Sequence, residues 1–209
     1  LYTLPLELST EMIWYNVDMF KDAGIEAPKT LDELLEACKV LKEKGYTAFG
    51  IGGGDGWPLL RLLATYPFRL SGNEYLNQLS SGEAKMSDDA GMKAATFMSE
   101  IGKYFQPGFS TTDVATGLNL FLSGKCAMYP TGTWELNYFT DKNRPKGLNV
   151  DYFYMPTIKD AKTEPNDYWA FGGIGLSVNP KVFDDEYKDY LTFIVKNYSP
   201  AYFAHEHLA

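Results

Sequence analysis

Between Thr30 and Ile51 the apolar pattern changes from the period of a helix to that of a buried strand. Thr30 followed three residues later by Glu33 is a capping box, in which each side chain satisfies a backbone N–H of the first turn. Leu31, Leu34, Leu35, Cys38 and Leu41 then recur at helical spacing up to Gly45. Ala48–Ile51 is short, apolar and bounded by turn residues, which predicts a buried strand running into the loop Gly52, Gly53, Gly54, Asp55, Gly56. A chain that alternates helices with short strands is restricted to an α/β architecture.

The same alternation continues on both sides. Leu1 to Asn16 reads as extended, with the β-favouring run Ile13, Trp14, Tyr15, and Asp18 starts a short helix that ends at Gly24. Trp57 and Pro58 open a helix after the glycine loop. Ser87 is expected to cap a helix carrying Met92, Ala95, Phe97, Met98 and Ile101, and Thr112 one carrying Leu118, Phe121 and Leu122. Gly124 then precedes a strand at Cys126–Tyr129. Thr131, Gly132 and Thr133 open a helix at Trp134–Phe139, followed by a strand at Val150–Tyr154, a loop at Asp160–Asp167, a strand at Ile174–Val178 and a helix from Asp184 to about Asn197.

Composition excludes several classes of function. The 209 residues carry a formal charge of −8 and only three arginines, Arg61, Arg69 and Arg144. That leaves no basic patch for nucleic acid or an anionic membrane, and favours a neutral ligand. No apolar run approaches a membrane span. Cys38 and Cys126 each sit inside an apolar element and read as small core residues. Leu1 is preceded by no methionine or charged leader, so any targeting segment would lie outside these residues.

Most motifs that suggest chemistry have a plainer reading. Gly50 to Gly56 does not satisfy G-x-G-x-x-G, no Lys-Ser or Lys-Thr follows, and Asp55 would repel phosphate. Asp88–Asp89 and Asp184–Asp185 resemble paired carboxylates, but both pairs sit at expected helix starts, where the helix dipole favours negative charge. His205 and His207 are the only histidines and, two residues apart, face different sides of a helix. Neither cysteine has a histidine partner for nucleophilic catalysis. The Asn197-Tyr-Ser199 sequon is too short to carry weight. No metal site, cofactor or catalytic residue is expected.

The informative signal is aromatic. Trp57 follows the glycine loop, Trp134 follows Thr131-Gly132-Thr133, and Trp169 with Phe171 precede Gly172 and Gly173. Aromatic faces stack on the apolar faces of sugar rings while carboxylates and backbone groups pair with hydroxyls. Such loop tips suit a neutral polyol, although each ring also fits an ordinary core or interface anchor.

At these residues the chain resembles the extracellular solute-binding proteins of family 1, the maltodextrin-binding-like group with a two-lobed type II periplasmic-binding fold. The resemblance rests on an ordered series of blocks. Pro5 precedes Trp14-Tyr15-Asn16-x-Asp18-x-Phe20, and Ala23-Gly24-Ile25, Pro28-x-Thr30-x-x-Glu33-Leu34 and Leu41-Lys42-x-x-Gly45 follow. Farther on come the loop ending at Trp57, Phe121-x-x-Gly124-Lys125-x-Ala127-Met128-Tyr129, Gly132-x-Trp134 and Gly172-Gly173-x-Gly175-Leu176.

The resemblance implies a helix-rich lobe with a short-stranded mixed sheet over residues 1–171, including the first hinge strand. Residues 172–209 would cross the hinge and return to a first lobe that, with C-terminal helices, lies outside this chain. It also implies a hinged pair of lobes closing on a carbohydrate and docking on the permease of an ABC-type importer, outside the cytoplasm, in a periplasm or as a surface lipoprotein. By the same resemblance, Asp55, Trp57 and Trp134 contact ligand, and Gly172 and Gly173, next to Phe171, lie at the cleft. Ser9 and Glu11 lie near where the first hinge strand approaches the site; Glu11 is a further candidate contact, its alternative being a solvated strand residue. Two other functions fit the same residues: a carbohydrate-active enzyme using Asp55 and Glu135, and a scaffold whose aromatics meet a protein partner.

Overall fold

The computed structural model describes residues 3–204; Leu1, His205 and His207 lie outside them. The described chain divides into two compact units. The larger holds Met12–Thr131 and Arg144–Tyr168, and the smaller holds residues 3–11, Gly132–Asn143 and residues 169–204. Strand β1 spans Thr3–Pro5. Strand β2, Ser9–Asn16, gives its first three residues to the smaller unit and the rest to the larger.

In the larger unit, α1 (Val17–Ala23) is capped by Asn16, whose side chain accepts from the backbone N–H of Asp18 and Met19, and it ends at Gly24 in the left-handed conformation. Helix α2, Leu31–Glu43, begins with the expected capping box and buries Leu31, Leu34, Cys38 and Leu41. Then come α3 (Trp57–Ser71), α4 (Tyr75–Ser81), α5 (Asp89–Ile101) and α6 (Val114–Leu122). The caps of α5 and α6 are Asp88 and Asp113, one residue after the expected Ser87 and Thr112. Helix α5 packs on α3 and buries Ala90, Gly91, Ala94, Phe97 and Ile101, while Met92 is exposed. Met92 and Ala95, expected on the apolar face, are exposed; the buried face runs through Ala90, Gly91 and Ala94, and Gly91 leaves room for the Met86 backbone. Helix α4 was not expected.

Strand β3, Met128–Gly132, begins later than expected, and β4, Val150–Tyr154, lies where expected. Both flank β2, and β4 pairs antiparallel with it through Trp14↔Tyr152 and Asn16↔Val150. The core comprises Ile13, Leu34, Leu41, Phe49, Ile51, Leu62, Ile101, Phe121 and Met128, all essentially inaccessible. Each such side chain contributes about 1.5–3 kcal/mol by burial.

Ala48–Ile51 is buried but is not a full strand, which corrects the sequence expectation. Phe49 bridges Phe105 and Met128, and the ladder stops there. The N–H and C=O of Ile51 are instead taken by the Gln106 side chain, at 2.9 and 2.7 Å.

In the smaller unit, β5 (Trp169–Phe171) pairs antiparallel with the start of β2, and β6 (Gly175–Ser177) pairs antiparallel with β1. Helix α7, Asp185–Ala204, follows, longer than expected. Among the described residues no helix is long and apolar enough to cross a membrane.

Candidate functional site

Asp55 and Trp57 belong to the larger unit, whereas Glu11, Trp134, Phe171, Gly172 and Gly173 belong to the smaller. In the larger unit the glycine loop forms a single tight turn, Gly53–Asp55, and delivers half-buried Trp57 as the first residue of α3, followed by Pro58 in the first turn. The glycines serve the chain's own packing. A Cβ on Gly52 would lie 2.6 Å from the Val114 backbone, and one on Gly53 2.6 Å from the Phe109 carbonyl oxygen. The segment leading into α6 therefore lies closely against this loop. Asp55 is exposed, and its Oδ2 accepts the Val114 backbone N–H at 2.7 Å.

The larger unit also carries an aromatic surface that the sequence reading missed. Trp14 on β2 lies 5.3 Å from Tyr152 on β4, Tyr152 lies 5.6 Å from Tyr154, and Tyr154 lies 4.1 Å from Tyr168, centroid to centroid. Tyr152 and Tyr168 are exposed while Trp14 is buried. The i, i+2 spacing of Tyr152 and Tyr154 on a strand was the available signal.

In the smaller unit Trp134 is the second residue of the tight helical turn Thr133–Phe139 and remains 38% exposed. Its ring covers Gly132 so closely that any Cβ there would collide with it. The start of this turn is tied back by the Thr10 N–H, which donates to Thr133 Oγ1 at 3.3 Å. Glu11 is 2% exposed, so the solvated alternative is incorrect: it faces inward from β2, in register with Trp169. The Phe171 backbone pairs with Ser9, and Gly172 is exposed. Gly173 has φ +59, and a Cβ there would lie 2.6 Å from that of Glu7, whose Oε1 accepts the Tyr198 hydroxyl at 3.1 Å.

The acidic pairs are occupied at helix starts. Asp88 Oδ2 accepts the Lys85 N–H at 2.7 Å, Asp89 pairs with Lys93 at 2.8 Å, Asp184 Oδ1 accepts the Tyr187 N–H at 2.9 Å and Asp185 pairs with Lys188 at 2.7 Å. Among the described residues no group of three or more metal-binding side chains is gathered. Cys38 and Cys126 are both free and buried; burial raises both thiols, that of Cys126 to about 12.

Comparison with known proteins identifies the family and the fold. The family model for bacterial extracellular solute-binding proteins matches residues 2–197. An uncharacterized ABC transporter extracellular-binding protein of Pyrococcus horikoshii is 29% identical over 159 residues, 74% of this chain and 35% of its own length. The multiple sugar-binding protein of Streptococcus mutans is 28% identical over 188 residues, 86% of this chain and 43% of its own. Among solved structures, a chitin oligosaccharide binding protein superposes with TM-score 0.79 at 29% identity, covering 94% of this chain and 49% of that one. The chain thus spans less than half the length of these relatives. The α/β architecture is that of a type II periplasmic binding protein, and the chain belongs to the family of bacterial extracellular solute-binding proteins.

Proposed function

We propose that this chain is part of a non-catalytic binding protein that holds a mono- or oligosaccharide for an ABC-type importer. The observation that carries the reading is that relatives matching most of this chain are named for sugars, a multiple sugar-binding protein and an alpha-glucosides-binding periplasmic protein among them. Residues 1–171 are assigned to the second lobe with its first hinge strand, and 172–209 to the crossing toward a first lobe. Ligand favours the closed arrangement because both lobes contact it only there, and closure signals occupancy to a membrane permease. The protein works outside the cytoplasm, in a periplasm or as a lipid-anchored surface protein. Asp55, Trp57, Trp134, Glu11, Phe171, Gly172 and Gly173 are the proposed ligand-side residues. Trp134 is the most telling, since an exposed indole held over a glycine offers a flat apolar face beside a polar turn.

Catalysis by Asp55 and Glu135 is not favoured, because one Asp55 oxygen is already committed to the Val114 N–H. The test is titration of the full-length protein with a panel of mono- and oligosaccharides, followed by tryptophan fluorescence and calorimetry. Saturable binding of one sugar class, weakened at least tenfold by Trp134→Ala, is expected. Silence across the panel from folded protein would overturn the sugar reading.

A further inference from the structure

Tyr152 and Tyr154 stand two residues apart on β4, opposite Trp14 and Met12 of β2, and so project from the same side of the sheet. Tyr168, from the far end of the segment that follows β4, lays its ring 4.1 Å from that of Tyr154 at an angle of 36°. Tyr152 meets Tyr154 edge to face at 5.6 Å. Tyr168 is 51% exposed and Tyr152 43%, whereas Trp14 and Met12 are buried. The phenols also converge. Burial raises the Tyr154 pKa first, and the charge and hydrogen bonding of Tyr152, then the charge of Tyr168, raise it further.

The exposed ring is held without any ligand. Arg69 Nη2 donates to the Asp167 carbonyl at 3.1 Å, on the peptide that leads directly into Tyr168, and Nη1 donates to the Glu164 carbonyl at 2.8 Å. Glu164 and Asp167 close a turn on each other, the Asp167 N–H donating to the Glu164 carbonyl at 3.0 Å and the Glu164 N–H to Asp167 Oδ2 at 2.9 Å. A ring fixed at its backbone and on one face loses little freedom when the other face is covered. The three side chains are neutral, and together they offer flat apolar faces edged by hydroxyls that both donate and accept.

We propose that Tyr152, Tyr154 and Tyr168 form a further sugar-binding surface on the larger unit. A pyranose lays its C–H face on the outward face of Tyr168 and pairs its hydroxyls with the phenols of Tyr152 and Tyr154. The proposal rests on the sugar-binding reading for the class of ligand, and adds a surface to the residues already assigned to ligand.

The experiment incorporates tyrosine isotopically labelled at Cζ into the full-length protein and assigns the three resonances by their loss in Tyr152→Phe, Tyr154→Phe and Tyr168→Phe. Maltotetraose, cellotetraose and chitotetraose are the probes, followed in parallel by calorimetry and by these resonances. One probe is expected to move all three resonances saturably. Tyr168→Ala weakens that event about tenfold, and Tyr168→Phe, which keeps the ring, about threefold. Should Tyr168→Ala lose its fold, Tyr168→Phe and the wild-type shifts carry the test. The shifts persist in Trp134→Ala, because the surface holds a sugar ring of its own. Shifts that vanish in Trp134→Ala would show that the tyrosines only sense binding elsewhere, and would overturn the proposal. Saturable heat with the three resonances unmoved overturns it too and leaves the sugar-binding reading standing. Neither heat nor shift with any probe, from folded protein, overturns both.

Discussion

Arg69, only 3% exposed, donates from guanidinium Nη2 to the Met155 carbonyl at 2.9 Å. Nη2 also reaches the Asp167 carbonyl at 3.1 Å, while Nη1 donates to Thr163 Oγ1 at 3.0 Å and to the Glu164 carbonyl at 2.8 Å. A helix residue thereby staples the irregular segment that connects β4 to Tyr168. Burial lowers the Arg69 pKa and the nearby Asp167 charge offsets part of that shift.

Replacing Arg69 by Met is therefore expected to cost roughly 3 kcal/mol, because the buried Met155 carbonyl and the part-buried Glu164 and Asp167 carbonyls lose charge-assisted donors. Arg69→Lys should recover less than half, since an ammonium cannot present the planar fork that meets four acceptors. Urea unfolding measures the loss. Limited trypsin digestion locates it, with Lys159 and Lys162 cut faster in Arg69→Met than in wild type.

Local chemistry was legible in the sequence and long-range chemistry was not. The capping box of α2, the glycine end of α1 and the whole of β4 follow from residues within a few positions of one another. Asp88 and Asp113, not Ser87 and Thr112, stand at the N-cap positions, and of the two only Asp113 caps its helix with a side-chain bond; two polar residues in succession cannot be separated by propensity. The Ile51–Gln106 pair spans 55 positions, and it converts an apparent strand into a buried loop start. The inward setting of Glu11 and the aromatic surface of Tyr152, Tyr154 and Tyr168 likewise depend on strand register. At the candidate site the tryptophans were visible from turn chemistry, whereas the reason for the glycines lay in the approach of the turn before α6.

The α2 capping box gives a second prediction. Thr30 Oγ1 accepts the Glu33 N–H at 3.1 Å, and Glu33 Oε2 accepts the N–H groups of Lys29 and Thr30 at 2.7 and 3.3 Å. Thr30→Ala should cost about 1 kcal/mol in urea unfolding. Because the two side chains serve one another's backbone, Thr30→Ala combined with Glu33→Ala should cost less than the sum of the single changes. Strict additivity would mean that the two halves of the box act independently.

Cys38 and Cys126 are both buried and their thiols are raised by burial, so almost no thiolate exists at pH 8. Folded protein should react with a disulfide reagent at a rate that follows unfolding, and both thiols should react at once in denaturant. A fast phase in the absence of denaturant would show that one of these sites opens locally without unfolding of the core.

The start of α6 gives the pH dependence. Asp113 Oδ1 accepts the Thr116 N–H at 2.7 Å, and hydrogen bonding from the Thr116 side chain and then from its backbone holds the carboxyl below the usual range against the opposing effect of desolvation. A depressed carboxyl stabilises the fold above the unfolded-state pKa, near 3.9, and the contribution fades as pH falls through the lower folded value. Wild-type protein should thus show a higher urea midpoint than Asp113→Ala at pH 7, and the difference should shrink toward pH 3. Asp113→Asn keeps the acceptor but not the charge, so its midpoint should fall less steeply with acid than that of wild type. A gap between wild type and Asp113→Ala that stays constant from pH 7 to pH 3 would mean that charge adds nothing to this cap beyond its geometry.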